Sequence, residues 1–185
     1  MNKQERAPAL PLTLSLKARN EKSSLAAQED FSNLYQTYVN PVFRYLYSRV
    51  NSAEDAEDLT SLTFLQAYRS FSTLRDQSRF APWLFIIARN KLNDFYRQRE
   101  NNTTLNSEIT AGSMPEPSAV FEMDERIKQL RTQIFALPEE EQELIRLRYL
   151  GELTYREIAV TLGKTEQSVK KSIYRLLARL KSQME

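Results

Sequence analysis

The stretch that decides the fold is TYREIAVTLGKTEQSVKKSIYRLLARL, residues 154–180. Thr154 and Glu157 have the Thr-x-x-Glu spacing of a capping box, which starts a helix. Gly163 supplies a residue suited to a tight turn, and Thr165 can cap a second helix. The stretch therefore predicts a helix-turn-helix.

The second of these helices has an apolar side and a polar, basic side. Val169, Ile173 and Leu176 recur at the spacing of one helical face, as in any amphipathic helix on a protein surface. The opposite face would suit the major groove of DNA, which is wide enough to admit an α-helix. We predict DNA contacts for the residues on and beside that face: Lys164, Gln167, Ser168, Lys171, Tyr174 and Arg175.

Composition favours helices and excludes several kinds of chemistry. The 185 residues include only three glycines, and they contain no cysteine and no histidine. Disulfides, Cys/His metal sites and imidazole catalysis are thereby excluded. We expect an all-α protein without catalytic residues, metal or cofactor. No apolar run approaches the roughly 20 residues needed to cross a bilayer, so we expect no membrane insertion and a cytoplasmic location.

The small net charge of +2 conceals two basic stretches. Residues 164–181 hold six Lys and Arg against the single acid Glu166, and residues 89–99 hold four against Asp94. Acidic residues gather elsewhere, including the run PEEEQE at 138–143. Two separate basic stretches are typical of a protein that contacts a polyanion in two places, although solvated helix faces give the same pattern.

The chain is predicted to form two small helical domains joined by a flexible linker. Residues 1–27 read as a disordered tail and residues 101–121, polar and with two prolines, as the linker. Residues 28–100 should form a bundle of four helices, the second opened by Pro41, with Trp83, Ile86 and Ile87 on a core face. Residues 122–185 should form the helix-turn-helix domain.

At this level of detail the chain resembles a specific family. The segments AEDAEDLTSLTF (53–64), RDQSRFAPWLFIIARNKLNDFYR (75–97) and the helix-turn-helix, in this order around a linker, look like a bacterial RNA polymerase sigma factor. The similarity is to the extracytoplasmic-function (ECF) group of the sigma-70 family, which has two helical domains and a tether. It implies core RNA polymerase and promoter DNA as partners, and an anti-sigma factor as a further one.

The resemblance also implies roles for individual residues. The first segment would dock on polymerase through Asp58, Ser61 and Leu62, although the family tends to have Gln-Glu where this chain has Ser61-Leu62. The helix-turn-helix would read the −35 promoter element. The second segment would open and read the −10 element, with contacts from Arg79, Phe80, Arg89, Asn90, Lys91, Asp94 and Arg97.

Three other classes of protein compete with this interpretation. A stand-alone helix-turn-helix regulator would account for residues 137–181. That interpretation does not explain the basic and aromatic stretch WLFIIARNKLNDFYRQRE (83–100). An enzyme is disfavoured because the carboxylates stand in capping positions or solvated runs and the chain has no Gly-rich phosphate loop. A helical adaptor that binds only protein is the third.

Overall fold

The computed structural model describes the backbone of residues 12–103 and 125–184, with side chains from 28–101 and 127–184. Every regular element in these ranges is helical, which confirms the all-α prediction. Most of the predicted linker and residues 1–11 of the predicted tail lie outside the described residues. The α-helices are α1 (Leu12–Val50), α2 (Ala53–Ser70), α3 (Phe80–Thr103), α4 (Glu125–Phe135), α5 (Glu139–Ile145), α6 (Tyr155–Leu162) and α7 (Glu166–Met184).

Pro41 lies inside α1, so the prediction that it opens a new helix is wrong. A proline inside a helix removes the hydrogen bond to the carbonyl four residues earlier, here that of Thr37. The chain also divides into two compact units directly after Thr37: residues 1–37 and residues 38–185. Helix α1 begins at Leu12, within the segment predicted to be a tail, and three helices replace the predicted four before the linker.

The turn between α1 and α2 is closed by local contacts. Asn51 has a left-handed backbone with φ 61°, a conformation that Asn tolerates better than most residues. Ser52 then caps α2, its hydroxyl accepting a hydrogen bond from the Asp55 amide at 3.2 Å. Glu54 and Asp55 place negative charge in the first turn, where the helix dipole favours it.

The first hydrophobic core is formed by α2, α3 and the second half of α1. Val42, Leu46, Leu84 and Phe85 are completely buried there. In α3 the buried face is Ala81, Leu84, Phe85, Ala88 and Leu92, whereas Trp83 and Ile87 are half-buried and Ile86 is exposed. The predicted core face of α3 is therefore wrong. In the continuous apolar run from 83 to 87 several faces have helical spacing, and packing against α1, α2 and residues 151–162 selects one of them.

Phe80, predicted to contact DNA, is a core residue. Only 1% of its surface is exposed, and its ring lies 5.5 Å from that of Tyr38, 6.0 Å from that of Phe71 and 5.8 Å from that of Trp83. It is the first residue of α3, and its side chain joins the start of that helix to the core. Its ring is not available to a base in this structure.

The second core is formed by α4, α5 and α7. Leu137, Leu176 and Leu180 make a buried cluster, against which Leu130, Ile134 and Ile145 pack. This confirms the apolar stripe of α7. On α4, Leu130 and Ile134 face the same core, whereas Ile127 is 52% exposed. Helix α5 continues into a single π-helical turn, Arg146–Leu150, before α6 begins.

The helix-turn-helix forms as its sequence predicts. Thr154 and Glu157 make both hydrogen bonds of the capping box at the start of α6. Gly163 ends α6 in the left-handed conformation, φ 63° and ψ 32°, and the next amide, that of Lys164, donates to the Ala159 carbonyl at 2.9 Å. The Thr165 hydroxyl accepts from the Ser168 amide at 3.2 Å and caps α7.

Replacing Gly163 with Ala should lower the free energy of unfolding by about 1 kcal/mol, because an L-residue in the left-handed region is strained. An added Cβ would meet nothing within 4 Å, so the loss would be conformational and not steric. Gly163→Asn should lose less, since Asn visits this region readily. Urea unfolding followed by circular dichroism measures both, and equal stability of wild type and Gly163→Ala would contradict the turn geometry.

Replacing Phe80 with Ala should cost about 3–5 kcal/mol of unfolding free energy, the usual penalty for removing a buried aromatic side chain. The neighbouring Arg79→Ala, on an exposed side chain, should change it by less than about 0.5 kcal/mol. The same urea titrations compare the two variants. Wild-type stability of Phe80→Ala would show that the ring is not part of the core.

Candidate nucleic-acid interface

The six residues predicted to read duplex DNA form one exposed surface, here called the α7 surface. Lys164 lies in the turn and Gln167, Ser168, Lys171, Tyr174 and Arg175 lie on α7; all six are exposed. The opposite face is anchored by the buried Val169, Ile173 and Leu176. Because the buried stripe fixes the rotation of the helix, these residues are held towards solvent together.

Aromatic and cationic contacts surround Tyr174 on the α7 surface. Its ring lies 6.0 Å from that of Tyr155 at the start of α6, and the Lys170 ammonium lies 6.0 Å from its centroid. The Arg148 guanidinium lies 5.1 Å from the Tyr155 ring. Burial and a hydrogen bond with Tyr174 raise the pKa of Tyr155. Sequence reasoning missed Tyr155 and Arg148, since only folding brings them beside α7.

The exposed polar residues of α3 form a second surface, the α3 surface. Asn90, Asp94 and Arg97 are exposed and Lys91 is half-buried. Asp94 and Arg97 form a weak ion pair at 3.9 Å, one turn apart. Phe95 and Tyr96 contact each other at 5.7 Å, and the Tyr96 hydroxyl donates to the Arg49 carbonyl at 2.6 Å. The Tyr96 hydroxyl therefore has a partner within the protein.

The segment before α3 presents Arg79 to solvent. The Asp76 carboxylate accepts from the Ser78 amide at 3.0 Å and from its hydroxyl at 2.7 Å, which starts the short 3-10 turn Gln77–Arg79. The hydrogen bonds from Ser78 lower the pKa of Asp76. Arg79, at the end of this turn, is exposed. The segment is thus a capped turn, with Phe80 buried directly after it.

Arg89, a further predicted DNA contact on α3, is engaged by the helix-turn-helix domain. Its Nε lies 3.1 Å from the Glu143 carboxylate of α5, and its Nη1 donates to the Thr161 carbonyl of α6 at 3.1 Å. The α3 surface and the helix-turn-helix domain are in direct contact at this point. Spacing in the sequence could not predict such a contact between residues more than 50 positions apart.

Glu143 is buried among cations and a phenol. The Tyr45 hydroxyl donates to it at 2.8 Å, and Arg49 and Arg146 lie 3.5 Å and 3.9 Å from its second oxygen. Burial, and then the neighbouring negative charge, raise the pKa of Tyr45 well above its ordinary range. Burial and the adjacent Arg49 charge lower the pKa of Arg146. Tyr45 therefore stays protonated, and its hydroxyl donates to Glu143.

A third surface lies on α2 and includes the residues predicted to dock on polymerase. Asp58, Ser61 and Leu62 are all exposed, as the prediction requires. Leu65 and Tyr68 extend the surface along the helix and are 45% and 51% exposed. Leu62, Leu65 and Tyr68 recur every three residues along α2 and form an apolar stripe on the outside of the protein. We call this the α2 surface.

Among the described residues, no helix is long and apolar enough to cross a membrane. Within the same part of the chain, no group of three or more carboxylates is placed to hold a metal ion.

Comparison with protein families assigns both halves of the chain. Residues 34–102 match the family model of sigma-70 region 2, and residues 127–180 match that of sigma-70 region 4. The first match covers the α2 and α3 surfaces, and the second covers the α7 surface. We refer to these segments as region 2 and region 4.

Individual relatives agree with this assignment. The ECF RNA polymerase sigma factor SigM of Bacillus subtilis is 31% identical over 80% of this chain and 91% of its own. BldN of Streptomyces coelicolor, another ECF sigma factor, is 34% identical over 86% of this chain, which spans 62% of BldN's length. The fold matches that of the sigma factor RpoE, solved in complex with the anti-sigma factor NepR from Bartonella quintana. The TM-score is 0.62 at 21% identity, covering 84% of this chain and 97% of RpoE. The chain therefore belongs to the sigma-70 family of RNA polymerase sigma factors, in the ECF group.

Proposed function

We propose that this chain binds core RNA polymerase and directs it to promoters by reading the −10 and −35 elements. The observation that carries the proposal is the presence of regions 2 and 4 in one chain, each exposing a surface of the required chemistry. A stand-alone regulator would need only region 4. The protein acts in the cytoplasm by binding and not by catalysis.

Polymerase docking is assigned to the α2 surface. An exposed apolar stripe on a soluble protein usually marks an interface with another protein. Leu62, Leu65 and Tyr68 provide that stripe, and Asp58 and Ser61 provide polar contacts at its edge. Ser61 and Leu62, which replace the Gln-Glu of related chains, make this docking surface more apolar.

Reading and opening of the −10 element are assigned to the α3 surface and the preceding turn. Single-stranded DNA is held by cations that follow its phosphates and by groups that contact unstacked bases. Arg79, Lys91 and Arg97 supply the cations, and Asn90 and Asp94 supply hydrogen-bonding groups between them. Because Phe80 is buried, it supports the turn and does not contact DNA directly. Arg89 can join this surface only when it leaves Glu143.

Reading of the −35 element is assigned to the α7 surface. Lys171 lies near the middle of this surface and is placed to reach a base edge, whereas Arg175 lies one turn later at its margin and is placed to meet phosphate. Tyr174 presents an exposed ring between them, held by Tyr155. A ring of this kind is suited to apolar contact with a thymine methyl group.

An anti-sigma protein is the further partner that we propose. Support comes from the related fold of RpoE, which was solved in complex with the anti-sigma factor NepR.

Transcription in vitro tests the proposed function directly. Core polymerase is mixed with the full chain and a library of genomic DNA fragments, and the 5′ ends of the transcripts are sequenced. We expect start sites that share two upstream motifs and require the chain. A chain that binds DNA but leaves core polymerase without new start sites would be a stand-alone regulator instead.

Changing Asn90 and Asp94 to Ala should reduce the opening of promoter DNA at 25 °C without weakening the binding of polymerase. Both side chains are exposed on α3, so their loss removes contacts to DNA and leaves the core unchanged. Permanganate reactivity of unpaired thymines measures the opening, and co-purification with core polymerase is the control. Undiminished reactivity in the double variant would place DNA melting elsewhere.

Lys171→Ala and Arg175→Ala should have different effects on −35 recognition. A base contact discriminates by roughly 1 to 3 kcal/mol, whereas a phosphate contact does not discriminate. Lys171→Ala should therefore relax the preference at one or two positions. Arg175→Ala should weaken binding to all −35 variants nearly equally and lower the salt slope of log K by about 0.9.

The holoenzyme is titrated against a −35 substitution library at several salt concentrations to separate the two effects. Equal loss of sequence preference in both variants would mean that α7 is rotated differently in the groove. Unchanged DNA binding by both variants would mean that α7 does not enter the major groove.

A further inference from the structure

Three side chains connect the π-helical turn of region 4 to the α7 surface. Arg148 lies in that turn, Tyr155 is the first residue of α6, and Tyr174 lies on α7. The Arg148 guanidinium lies 5.1 Å from the centroid of the Tyr155 ring. The centroid of the Tyr155 ring lies 6.0 Å from that of Tyr174, and the two rings are tilted by 50°. An uninterrupted series of contacts therefore leads from outside α7 to its exposed ring.

The first member of this series, Arg148, is held in place by the backbone. Its Nη1 donates a hydrogen bond to the Leu153 carbonyl at 2.8 Å. The Leu153 amide in turn donates to the Leu147 carbonyl at 3.0 Å, and both leucine side chains are buried. Because the guanidinium is attached to a segment that is itself fixed in the core, it can act as a stationary cation against the Tyr155 ring.

The last member, Tyr174, is 54% exposed and is free to meet a partner with the rest of its ring. An exposed side chain on a helix ordinarily exchanges between rotamers within nanoseconds. Contact with Tyr155, and with the Lys170 ammonium at 6.0 Å from the Tyr174 centroid, favours one orientation of the ring. The exposed part of Tyr174 is thus directed by residues that lie behind it.

We propose that Arg148 and Tyr155, which both lie outside α7, determine specificity at the −35 element by holding the Tyr174 ring against one thymine methyl group. Tyr174 is the residue that contacts the base, and Arg148 and Tyr155 are positioning residues that act through it. Thymine is the base implied, because its methyl group is the apolar feature that base edges present in the major groove. This inference rests on the proposed function of the α7 surface.

The position of the ring matters because contact with a methyl group is short in range. A gap of about 0.5–1 Å already removes a quarter to a half of the attraction between two apolar atoms. A ring that also had to be ordered on binding would lose conformational freedom at that step. Loss of Tyr155 should therefore weaken discrimination at one thymine, whereas a residue that only stabilised the fold would leave that discrimination unchanged.

Replacement of thymidine by deoxyuridine tests the methyl contact, because the two differ only in that group. Holoenzyme containing the full chain is titrated against a promoter found in the transcription experiment above. The thymines of its −35 element, on both strands, are replaced one at a time. Burial of one methyl group corresponds to about fourfold in affinity, so the wild type should prefer thymine by that ratio at one position. Tyr174→Ala should abolish the preference there.

Tyr155→Ala and Arg148→Gln test the two positioning residues separately. Each should lower the preference for thymine at that position to less than about twofold, since a fixed ring contact is then lost or loosened. Tyr155→Phe keeps both ring contacts and should retain the wild-type ratio. In a double-mutant cycle, neither Tyr155→Ala nor Arg148→Gln should change the ratio further once Tyr174 is Ala.

Tyr149→Ala is the matched control. Tyr149 lies beside Arg148 in the same π-helical turn and is 51% exposed, so this variant removes an equally large ring from the same part of region 4. It should leave the thymine preference at the wild-type ratio. Circular dichroism and urea unfolding verify that each variant is folded. Arg148→Gln leaves both rings in place, so it still tests the proposal if Tyr155→Ala does not fold.

A wild-type ratio in a folded Tyr155→Ala or Arg148→Gln variant would overturn the proposal. An equal fall in Tyr149→Ala would also overturn it, because the effect would then reflect any loss of aromatic surface from region 4. If the wild-type holoenzyme initiates transcription but prefers thymine at no position, this inference fails and the proposed function stands. If the wild type gives core polymerase no new start sites, the proposed function itself fails.

Discussion

Where region 4 packs on region 2, the carboxylate of Glu143 is the most constrained group, because partners from both regions meet on it. It carries a negative charge into a site nearly closed to water, where an unpaired charge costs several kcal/mol. Tyr45, Arg49 and Arg89 compensate that charge from region 2, and Arg146 does so from its own domain. Because these partners come from α1, α3 and the π-helical turn after α5, the charge is satisfied only when these elements are correctly placed around Glu143.

The same network brings carboxylates next to the two surfaces that we propose to bind DNA in a nearly neutral chain. Two of the cations assigned to these surfaces, Arg89 and Lys164, are paired with carboxylates of the run PEEEQE. The acidic and basic stretches are separate in the sequence but adjacent in the structure. Net charge is therefore a poor guide to nucleic-acid binding in this protein, while the distribution of charge is informative.

The α7 surface is supported differently, by its own domain. Val169, Ile173 and Leu176 fix the rotation of the helix, and the contact between Tyr155 and Tyr174 limits the movement of an exposed ring. A reading surface benefits from such preorganisation, because less conformational freedom is lost on binding. On α3, Asn90 and Arg97 are exposed, whereas Arg89 is paired with Glu143 of region 4.

The sequence by itself determined the local features. The capping box at Thr154, the left-handed Gly163 and the cap at Ser52 follow from short-range hydrogen bonds and backbone strain, which neighbouring residues specify. The stripe of α7 follows from helical periodicity, and the resemblance of three segments predicted the family.

Only the tertiary structure decided which apolar face of α3 is buried, that Phe80 is a core residue, and that Pro41 lies inside a helix. It also decided that Arg89 contacts Glu143 and that Gly151 contacts Phe85. The physical reason is the same in each case. Several local choices have nearly equal energy in the isolated segment, and packing against residues distant in the chain selects among them.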